Sequence, residues 1–291
     1  MIYLNGLELP VKRFYGGELT ALVSGLQPEN DILWLWDDIN GAAELFILQA
    51  LMETMKEKGV TASLEMPYIP YARNDGMDDF VEESEAGEPV YRVDTLSALT
   101  KTINSLDFTE VLVYEPHSVV SAKLIKRCKV KEITTEIAGK CLDNIEASGI
   151  DPKRVVFIFP DGGAEKRYSR NPFYAGYPWV GAVKRRNPST GELEGYNFFS
   201  MNESINNYDV AIIVDDICGR GGTYLPLAEA MHREGFKEVY LVVAHCENNI
   251  QSGTVLTGDL INKVYTTNSI LTISHENLIV AHKFTEKKED D

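Results

Sequence analysis

The amino-acid sequence predicts an α/β protein built from two mostly parallel sheets that are flanked by helices. Short runs of apolar and β-branched residues alternate with longer segments whose apolar residues recur at helical spacing. This alternation is typical of parallel α/β architecture, and it occurs twice along the chain. With 291 residues, of which 44% are hydrophobic, the chain can form two domains of ordinary size, each with its own core.

The first α/β series occupies the amino-terminal part of the chain. Its longest helical pattern follows Asn40, where leucine and methionine residues recur every three or four positions. The predicted elements are, in order, a strand at 32–36, a helix at 45–55, a strand at 62–66, a helix at 94–106 and a strand at 111–114.

The second series fills the rest of the chain. Its predicted elements are a helix at 135–148, strands at 155–159 and 210–214, a helix at 223–234 and a strand at 239–244. No Pro- or Ser-rich linker separates the two series, so we place the boundary at residue 139, which gives domains of residues 1–138 and 139–291. The acidic stretch 78–88 lacks periodicity and is expected to be a mobile excursion, and 286–291 is a short acidic tail.

The charge and cysteine content restrict the classes of partner. A net charge of −16 and a pI near 4.8 disfavour binding to nucleic acid or to an anionic membrane, because both need a positive surface. The four cysteines form no C-x-x-C pair, the amino terminus lacks a signal pattern, and no apolar run reaches the ~18 residues that span a bilayer. We therefore expect a cytoplasmic protein with reduced thiols and no nucleic-acid or membrane partner.

The most informative segment is IIVDDICGRGGTY at 212–224, in which an apolar strand leads into a glycine-rich turn and a helix. Gly219, Gly221 and Gly222 can adopt positive φ angles and bring backbone N–H groups close to an anion. The positive end of the helix that begins at Thr223 adds to this attraction. The segment predicts a phosphate-binding turn, and the alternative is a generic connection between a strand and a helix.

Two adjacent acids precede this turn. Asp215 and Asp216 lie at the predicted carboxyl end of the strand, where ionised carboxylates accept hydrogen bonds from the paired hydroxyls of a sugar. The acids and the turn together indicate a site for a ribose phosphate.

The segment VDDICGRGGT resembles the 5-phosphoribosyl diphosphate signature of two families, the type I phosphoribosyltransferases and the ribose-phosphate diphosphokinases (PRPP synthetases). Phosphoribosyltransferases share only this turn, whereas further segments resemble PRPP synthetases in the family's order over nearly the whole chain. These segments are RFYGGEL at 13–19, PYIPYARND at 67–75, VLVYEPHS at 111–118, FPDGGAEKR at 159–167, VKRRN at 183–187 and TTNSI at 266–270.

The resemblance implies two type I phosphoribosyltransferase-like domains, an assembly into a homodimer or homohexamer, and a Mg²⁺-dependent reaction. In that reaction the diphosphate of ATP is transferred to the anomeric hydroxyl of ribose 5-phosphate, and AMP is released. The resemblance assigns to ATP Phe14, Glu18, Arg73, Asn74, Asp75 and His117, to the metal His117 and Asp161, to catalysis Lys184, Arg186 and His117, and to the ribose phosphate Asp215, Asp216, Gly221, Gly222 and Thr223. We add Gly219 and Arg220 to the ribose-phosphate site because they belong to the same turn.

Several residues depart from the family's pattern. Gly219 stands where the sugar-phosphate loop usually begins with Asp, Gly16 replaces an Asp, and Gly76 replaces an Arg. Residues 183–197 read as a basic opening followed by a polar, turn-rich lid. From the residues alone, the alternatives are a solvated Arg–Asp pair at 73–75, a structural histidine at 117 and a basic turn at 184–186.

An aromatic insertion at 170–179 raises a second hypothesis about the acceptor. ADP-ribose would bring a 5-diphosphate to Arg220, and its adenine could stack on Phe173, Tyr174, Tyr177 or Trp179. The alternative interpretation is that these rings belong to the core or to a subunit interface. Two rival functions also stay open, a phosphoribosyltransferase and a catalytically silent regulatory homologue, although the intact Lys184 and Arg186 argue against silence.

Overall fold

The computed structural model describes residues 1–74, 80–83, 89–91, 93–186, 193–200 and 205–285. Asp75 and the tail at 286–291 lie outside these residues. The chain divides into two compact units, of which unit 1 is Met1–Lys131 and unit 2 is Glu132–Glu286. Within the described parts, no helix is long and apolar enough to cross a membrane.

Unit 1 contains a six-stranded sheet with the order β10-β9-β6-β5-β1-β2. Four of the six strands, β5, β6, β9 and β10, are parallel to one another, whereas β1 pairs antiparallel with β5 and β2. The elements are β1 (Ile2–Leu4), β2 (Leu7–Glu8), β3 (Val11–Arg13), β4 (Leu19–Ala21), β5 (Glu29–Trp34), α1 (Gly41–Glu57), β6 (Thr61–Met66), β7 (Phe80–Glu83), β8 (Pro89–Tyr91), α2 (Thr95–Ser105), β9 (Val111–Tyr114), α3 (Val119–Lys123) and β10 (Cys128–Lys131).

Helix α1 forms where the leucine and methionine repeat predicts it. The repeat places Leu48, Leu51 and Met55 on one face, and this face joins a core with Ile32 and Leu64 of the parallel strands. Helix α2 begins after Asp94, whose carboxylate accepts a hydrogen bond from the backbone N–H of Ser97 at 2.8 Å.

Unit 1 also contains two short hairpins that the sequence did not predict. Strands β3 and β4 form one, and β7 and β8 form the other. The second hairpin corrects part of the expectation for the acidic stretch 78–88, since β7 lies within it. The pairing involves Phe80, Val90 and Tyr91, which are residue types that favour strands.

Unit 2 contains a seven-stranded sheet with the order β13-β12-β11-β14-β15-β16-β17. All neighbours are parallel except β12 and β13, which form an antiparallel hairpin. The elements are α4 (Thr134–Ala147), β11 (Val155–Phe159), α5 (Gly162–Tyr168), α6 (Pro172–Ala175), β12 (Trp179–Arg186), β13 (Leu193–Ser200), β14 (Val210–Cys218), α7 (Tyr224–Arg233), β15 (Glu238–Cys246), β16 (Lys263–Thr267) and β17 (Leu278–His282).

The central strands of unit 2 are buried on both faces. Every residue of β11 is buried, and β14 and β15 are nearly so, because helices cover the sheet on each side. This burial explains the continuous apolar runs in the sequence. One face packs against α7 through Leu227, Ala228 and Met231.

The chain passes from unit 1 to unit 2 between Lys131 and Glu132, earlier than the boundary at residue 139 that we placed from the sequence. Residue 139 lies inside α4, and α4 packs against β15, β16 and β17. Since a helix belongs to the sheet that it covers, unit 2 begins before α4.

The aromatic insertion at 170–179 is part of the core of unit 2. Tyr174 is fully buried, and its ring centroid lies 5.1 Å from that of Phe157 on β11. Three further rings of the insertion, those of Phe173, Tyr177 and Trp179, are half-buried and pack against the phenylalanines of β11. The expectation that Tyr174 could stack on an adenine is wrong, because its ring is enclosed by protein.

Truncating Tyr174 should destabilise unit 2 strongly. We expect Tyr174→Ala to lower the free energy of unfolding by about 3–5 kcal/mol, because it leaves a cavity among packed rings. Tyr174→Phe keeps the ring and should cost no more than about 1.5 kcal/mol. Chemical denaturation of both variants checks this, and equal losses would show that the hydroxyl, rather than the ring, is the stabilising group.

Candidate functional site

The sheet of unit 2 gathers the predicted sugar-phosphate residues along one edge. Strands β11, β12, β14 and β15 are parallel, so their carboxyl ends lie side by side. Asp161 follows β11, Lys184 lies near the end of β12, and Asp215 and Asp216 lie near the end of β14. In open α/β sheets ligands bind outside this edge, which we call the carboxyl edge.

The turn at 219–223, called the phosphate turn below, connects β14 to α7. Gly221 has a φ of +90°, and a Cβ atom there would lie 2.1 Å from Cγ2 of Val255, so only glycine fits. Thr223 precedes α7, but its side chain makes no capping hydrogen bond. The backbone N–H groups of Tyr224 and Leu225 already donate to the carbonyl oxygen of Gly221, at 3.0 and 2.9 Å, and Pro226 has no N–H. Donors to an anion would therefore come from the phosphate turn itself and not from the first turn of α7.

The two acids of the motif lie inside β14, which extends to Cys218 and is longer than predicted. Asp216 is 5% exposed, and its backbone N–H donates to Oδ1 of Asp215 at 2.9 Å. The hydroxyl of Tyr224 lies 2.9 Å from Oδ2 of Asp215 and 2.6 Å from the carbonyl oxygen of Ile217. Burial and the neighbouring charge of Asp216 raise the pKa of Asp215 to about 8.

Two residues beside the acids were not predicted from the sequence. Nη1 of Arg167 on α5 lies 3.7 Å from Oδ2 of Asp216, which brings a positive charge to a buried carboxylate. Tyr224 binds Asp215 as described, and burial raises its own pKa well above the usual value. Arg167 could have been found, because it ends the FPDGGAEKR segment; nothing in the motif pointed to Tyr224.

Lys184 lies on a β-hairpin and not on an irregular lid. Strands β12 and β13 pair antiparallel, with Lys184 opposite Tyr196 and Arg185 opposite Gly195. The prediction of a turn-rich lid is therefore wrong for 193–197, because this segment pairs with β12 as part of β13. Residues 187–192 and the side chain of Arg186 lie outside the described residues.

The pairing shows which side chains face the phosphate turn. Val180 and Ala182 are buried on the face that α7 covers, so Lys184, two residues further on, has the same orientation. Arg185 points to the opposite face. On the same side as Lys184, the hydroxyl of Tyr196 donates to the carbonyl oxygen of Thr223 at 3.2 Å.

Arg220 is the charged residue of the phosphate turn, and its side chain is exposed. Among the described residues it forms no salt bridge. Beside it, the carboxylate of Glu247 lies close to Gly219, where an added Cβ would be 2.5 Å from Oε2. The turn thus combines one exposed cation with a nearby acid.

In unit 1, the residues assigned to the adenine lie at the tip of the β3–β4 hairpin. Phe14 is 50% exposed, and Glu18 is exposed beside it. Their backbones are joined by a hydrogen bond from the N–H of Phe14 to the carbonyl oxygen of Glu18 at 2.8 Å. An exposed aromatic ring next to a carboxylate is suited to contact with a base or with another protein.

The segment at 67–74 leaves β6 through a turn in which Tyr71 has a φ of +63°. Arg73 is exposed. The side-chain amide of Asn74 donates to the carbonyl oxygen of Val93 at 3.1 Å and to Oγ1 of Thr95 at 3.0 Å. Asn74 therefore fastens the turn to the start of α2.

His117 and Asp161 were predicted to hold the metal. His117 follows β9 in unit 1 and is half-buried. Asp161 in unit 2 caps α5, since its Oδ1 accepts hydrogen bonds from the N–H groups of Gly163 and Ala164, both at 2.9 Å. No group of three or more His, Cys, Asp or Glu side chains suited to a metal occurs in the described part of the chain.

Comparison with known proteins identifies relatives of one kind. No model of a known protein family matches the chain. It is 26% identical to the ribose-phosphate pyrophosphokinase of Sulfurisphaera tokodaii over 230 residues, which are 78% of this chain and 71% of that protein. It is 24% identical to that of Thermococcus kodakarensis over 243 residues, which are 82% and 78% of the two chains.

A solved structure confirms the predicted fold class. The crystal structure of phosphoribosylpyrophosphate synthetase from Mycobacterium smegmatis matches with a TM-score of 0.70 and 14% sequence identity, covering 96% of this chain and 86% of that chain. The chain therefore has the α/β fold with two phosphoribosyltransferase-like sheets that the sequence predicted.

The close contact at Gly221 predicts a position-specific loss of stability. Gly221→Ala should lower the free energy of unfolding by about 2 kcal/mol or more, because the new methyl group meets Val255 at a positive φ. Gly222→Ala is the matched control, since a Cβ there has no neighbour within 4 Å. Its effect should stay within about 1 kcal/mol. Thermal unfolding of both variants tests the expectation, which similar losses would contradict.

The raised pKa of Asp215 predicts an unusual dependence of stability on pH. Its pKa is about 8 in the folded protein and near 3.8 when unfolded, so the stability linked to this group is full below pH 4 and falls as pH rises towards 8. Asp215→Asn removes this penalty and should raise the free energy of unfolding at pH 8 by about 2–4 kcal/mol. The gain should disappear near pH 4.

Asp209 supplies a control of the opposite sign. Its pKa is lowered by hydrogen bonds from Arg154 and Lys237, so its contribution is present at neutral pH and is lost in acid. Asp209→Asn should therefore lower the melting temperature at pH 7. If both substitutions shift it in the same direction, the pKa of Asp215 is not raised by its surroundings.

Proposed function

Because the chain is a divergent relative of the ribose-phosphate pyrophosphokinases, we propose that it is an enzyme that transfers the diphosphate of ATP to the anomeric hydroxyl of ribose 5-phosphate. The products are 5-phosphoribosyl 1-diphosphate and AMP. The observation that carries the proposal is the arrangement at the carboxyl edge of unit 2, where Lys184 and the phosphate turn lie on one face of the sheet.

The residues of unit 2 suit the sugar phosphate. The backbone N–H groups of the phosphate turn would bind the 5-phosphate, and the exposed guanidinium of Arg220 would add positive charge. Asp215 and Asp216 would accept hydrogen bonds from the ribose hydroxyls. Because Tyr224 and Arg167 hold these carboxyls, the acids would be oriented before the sugar binds.

Lys184 would act on the group that is transferred. The anomeric oxygen attacks the β-phosphorus of ATP and loses its proton, while the bond from that phosphorus to the oxygen of AMP breaks. Negative charge on the diphosphate is then stabilised by the ammonium group of Lys184, with Arg186 as a second cation. Positioning and charge, rather than covalent chemistry, do most of this work.

The nucleotide and the metal complete the proposal. We assign ATP to Phe14, Glu18, Arg73, Asn74, Asp75 and His117, among which Arg73 is the exposed cation. Asp161 and His117 would hold Mg²⁺, whose chemistry is to neutralise charge on the triphosphate. Asp161 fits this role, because its Oδ1 is engaged in the helix cap and its exposed carboxyl still offers Oδ2.

Packing of the insertion at 170–179 favours ribose 5-phosphate over ADP-ribose as the acceptor. The rings that we considered for adenine stacking are packed against β11, and Tyr174 is enclosed. Arg220 supports either acceptor, since both carry a phosphate on the 5-carbon. We also propose a homodimer or homohexamer, with the exposed hairpin tip of Phe14 and Tyr15 as a candidate contact.

The function is tested by measuring AMP release from ATP and Mg²⁺, with ribose 5-phosphate and ADP-ribose offered separately. We expect AMP with ribose 5-phosphate and little with ADP-ribose, and the product mass should show an added diphosphate. Lys184→Ala should lower kcat by about 100-fold or more, because it removes charge that stabilises the transition state.

Arg185→Ala is the matched control for Lys184→Ala. It removes a cation from the next position of the same strand, but on the opposite face of the sheet. Its kcat should remain within about 3-fold of the parent value. Diphosphate release with a nucleobase would identify a phosphoribosyltransferase instead, and nucleotide binding without any AMP would identify a silent homologue.

A further inference from the structure

Tyr196 lies where the hairpin of unit 2 approaches the phosphate turn. It is on β13, directly opposite Lys184 on β12. Residues that face each other in an antiparallel pair project from the same side of the sheet. The ring of Tyr196 therefore shares the face on which the ammonium group of Lys184 lies.

The hydroxyl of Tyr196 reaches the turn itself. It donates a hydrogen bond of 3.2 Å to the carbonyl oxygen of Thr223, the last residue of the phosphate turn. This carbonyl lies at the junction of the phosphate turn with α7, next to the backbone of Gly221 and Gly222. A contact at Thr223 consequently bears on the part of the turn that would hold the phosphate.

Packing holds the ring of Tyr196 in this position. Tyr196 and Phe198 stack with their centroids 6.3 Å apart and their planes at 14°. Both rings pack against the buried core beneath α7, as does Leu225 from the first turn of that helix. Since the ring is restrained on both sides, its hydroxyl is directed to Thr223 without a large entropic cost.

We propose that Tyr196 is a positioning residue that couples the β12–β13 hairpin to the phosphate turn, so that an anion bound at the turn also orders the strand that carries Lys184. This inference rests on the proposed function for the role of Lys184. The coupling itself depends only on the hydrogen bond, the strand register and the shared core. Tyr196 would act through the hairpin and would touch no reacting atom.

The coupling would bring the catalytic cation into place when the acceptor is bound. A rigid turn can bind a phosphate through its own N–H groups whether or not the hairpin is held. Lys184, by contrast, must lie within reach of the transferring group, and small displacements of such a group are costly. Loss of the Tyr196 hydroxyl should therefore affect turnover more than acceptor binding.

The test removes only the hydroxyl, by Tyr196→Phe in the full chain. We expect kcat for AMP release to fall by about 10-fold or more, with KM for ribose 5-phosphate within about 3-fold of the parent value. Tyr240→Phe is the matched control, since its hydroxyl binds Glu238 near the amino end of β15, away from the carboxyl edge. That variant should keep both constants close to the parent values.

Hydrogen exchange measured with inorganic phosphate separates this inference from the proposed function. In the parent protein, phosphate should slow amide exchange both in the phosphate turn and in β13 (Leu193–Ser200). In the Tyr196→Phe protein, the slowing should persist in the turn and be lost from β13.

Two results would overturn the coupling. One is a parent protein in which phosphate leaves exchange in β13 unchanged, and the other is a Tyr196→Phe protein that responds like the parent. Because this measurement needs no turnover, a protein that releases no AMP would refute the proposed function while the exchange data still decide the role of Tyr196.

Discussion

The candidate site depends on one topological constraint, the shared direction of β11, β12, β14 and β15. Parallel strands end at the same edge, so residues that are distant in the sequence become neighbours there without any special contact. Asp161 follows the end of β11, Lys184 lies near the end of β12, and Asp215 lies near the end of β14. The core beneath α7 fixes the strands, and the strands fix the site.

A second constraint is the energetic cost of burying charged groups at the carboxyl edge. Burial, together with the neighbouring charge of Asp216, raises the pKa of Asp215 to about 8, and Arg167 lies beside Asp216. In the protein without ligand, ionisation of Asp215 therefore lowers the stability of the fold. Such a setting is expected where acids are kept for a ligand rather than for folding.

The sequence predicts the frame of the fold well, because its signals there are local. Apolar runs identify β11 and β14, and leucine periodicity identifies α1, with errors of a few residues at their ends. The boundary at 139 failed for a different reason, since only tertiary packing assigns α4 to a sheet. The hairpin of β12 and β13 was missed because a basic run followed by Pro188, Gly191 and Gly195 is typical of a loop until its pairing is known.

The site was predictable only where the backbone conformation of a motif requires a particular residue type. Gly221 follows from the turn, because any side chain there meets Val255. Tyr224 and Tyr196 were not predictable, since a tyrosine hydroxyl gains its role from a partner brought by the fold. The hydrogen bonds from the amide nitrogen of Asn74 to Val93 and Thr95 were not predictable either, because these residues are distant in the sequence.

Two glycines that depart from the motifs they resemble have a similar local environment. Gly16 and Gly219 stand where the motifs that they resemble have Asp, and both lie against the carboxylate of a glutamate. A Cβ at residue 16 would be 2.6 Å from Oε2 of Glu18, and one at residue 219 would be 2.5 Å from Oε2 of Glu247. An aspartate at either position would meet a like charge in the same space. In both loops the carboxylate of a neighbouring glutamate, Glu18 or Glu247, occupies the space beside the glycine and supplies the negative charge there.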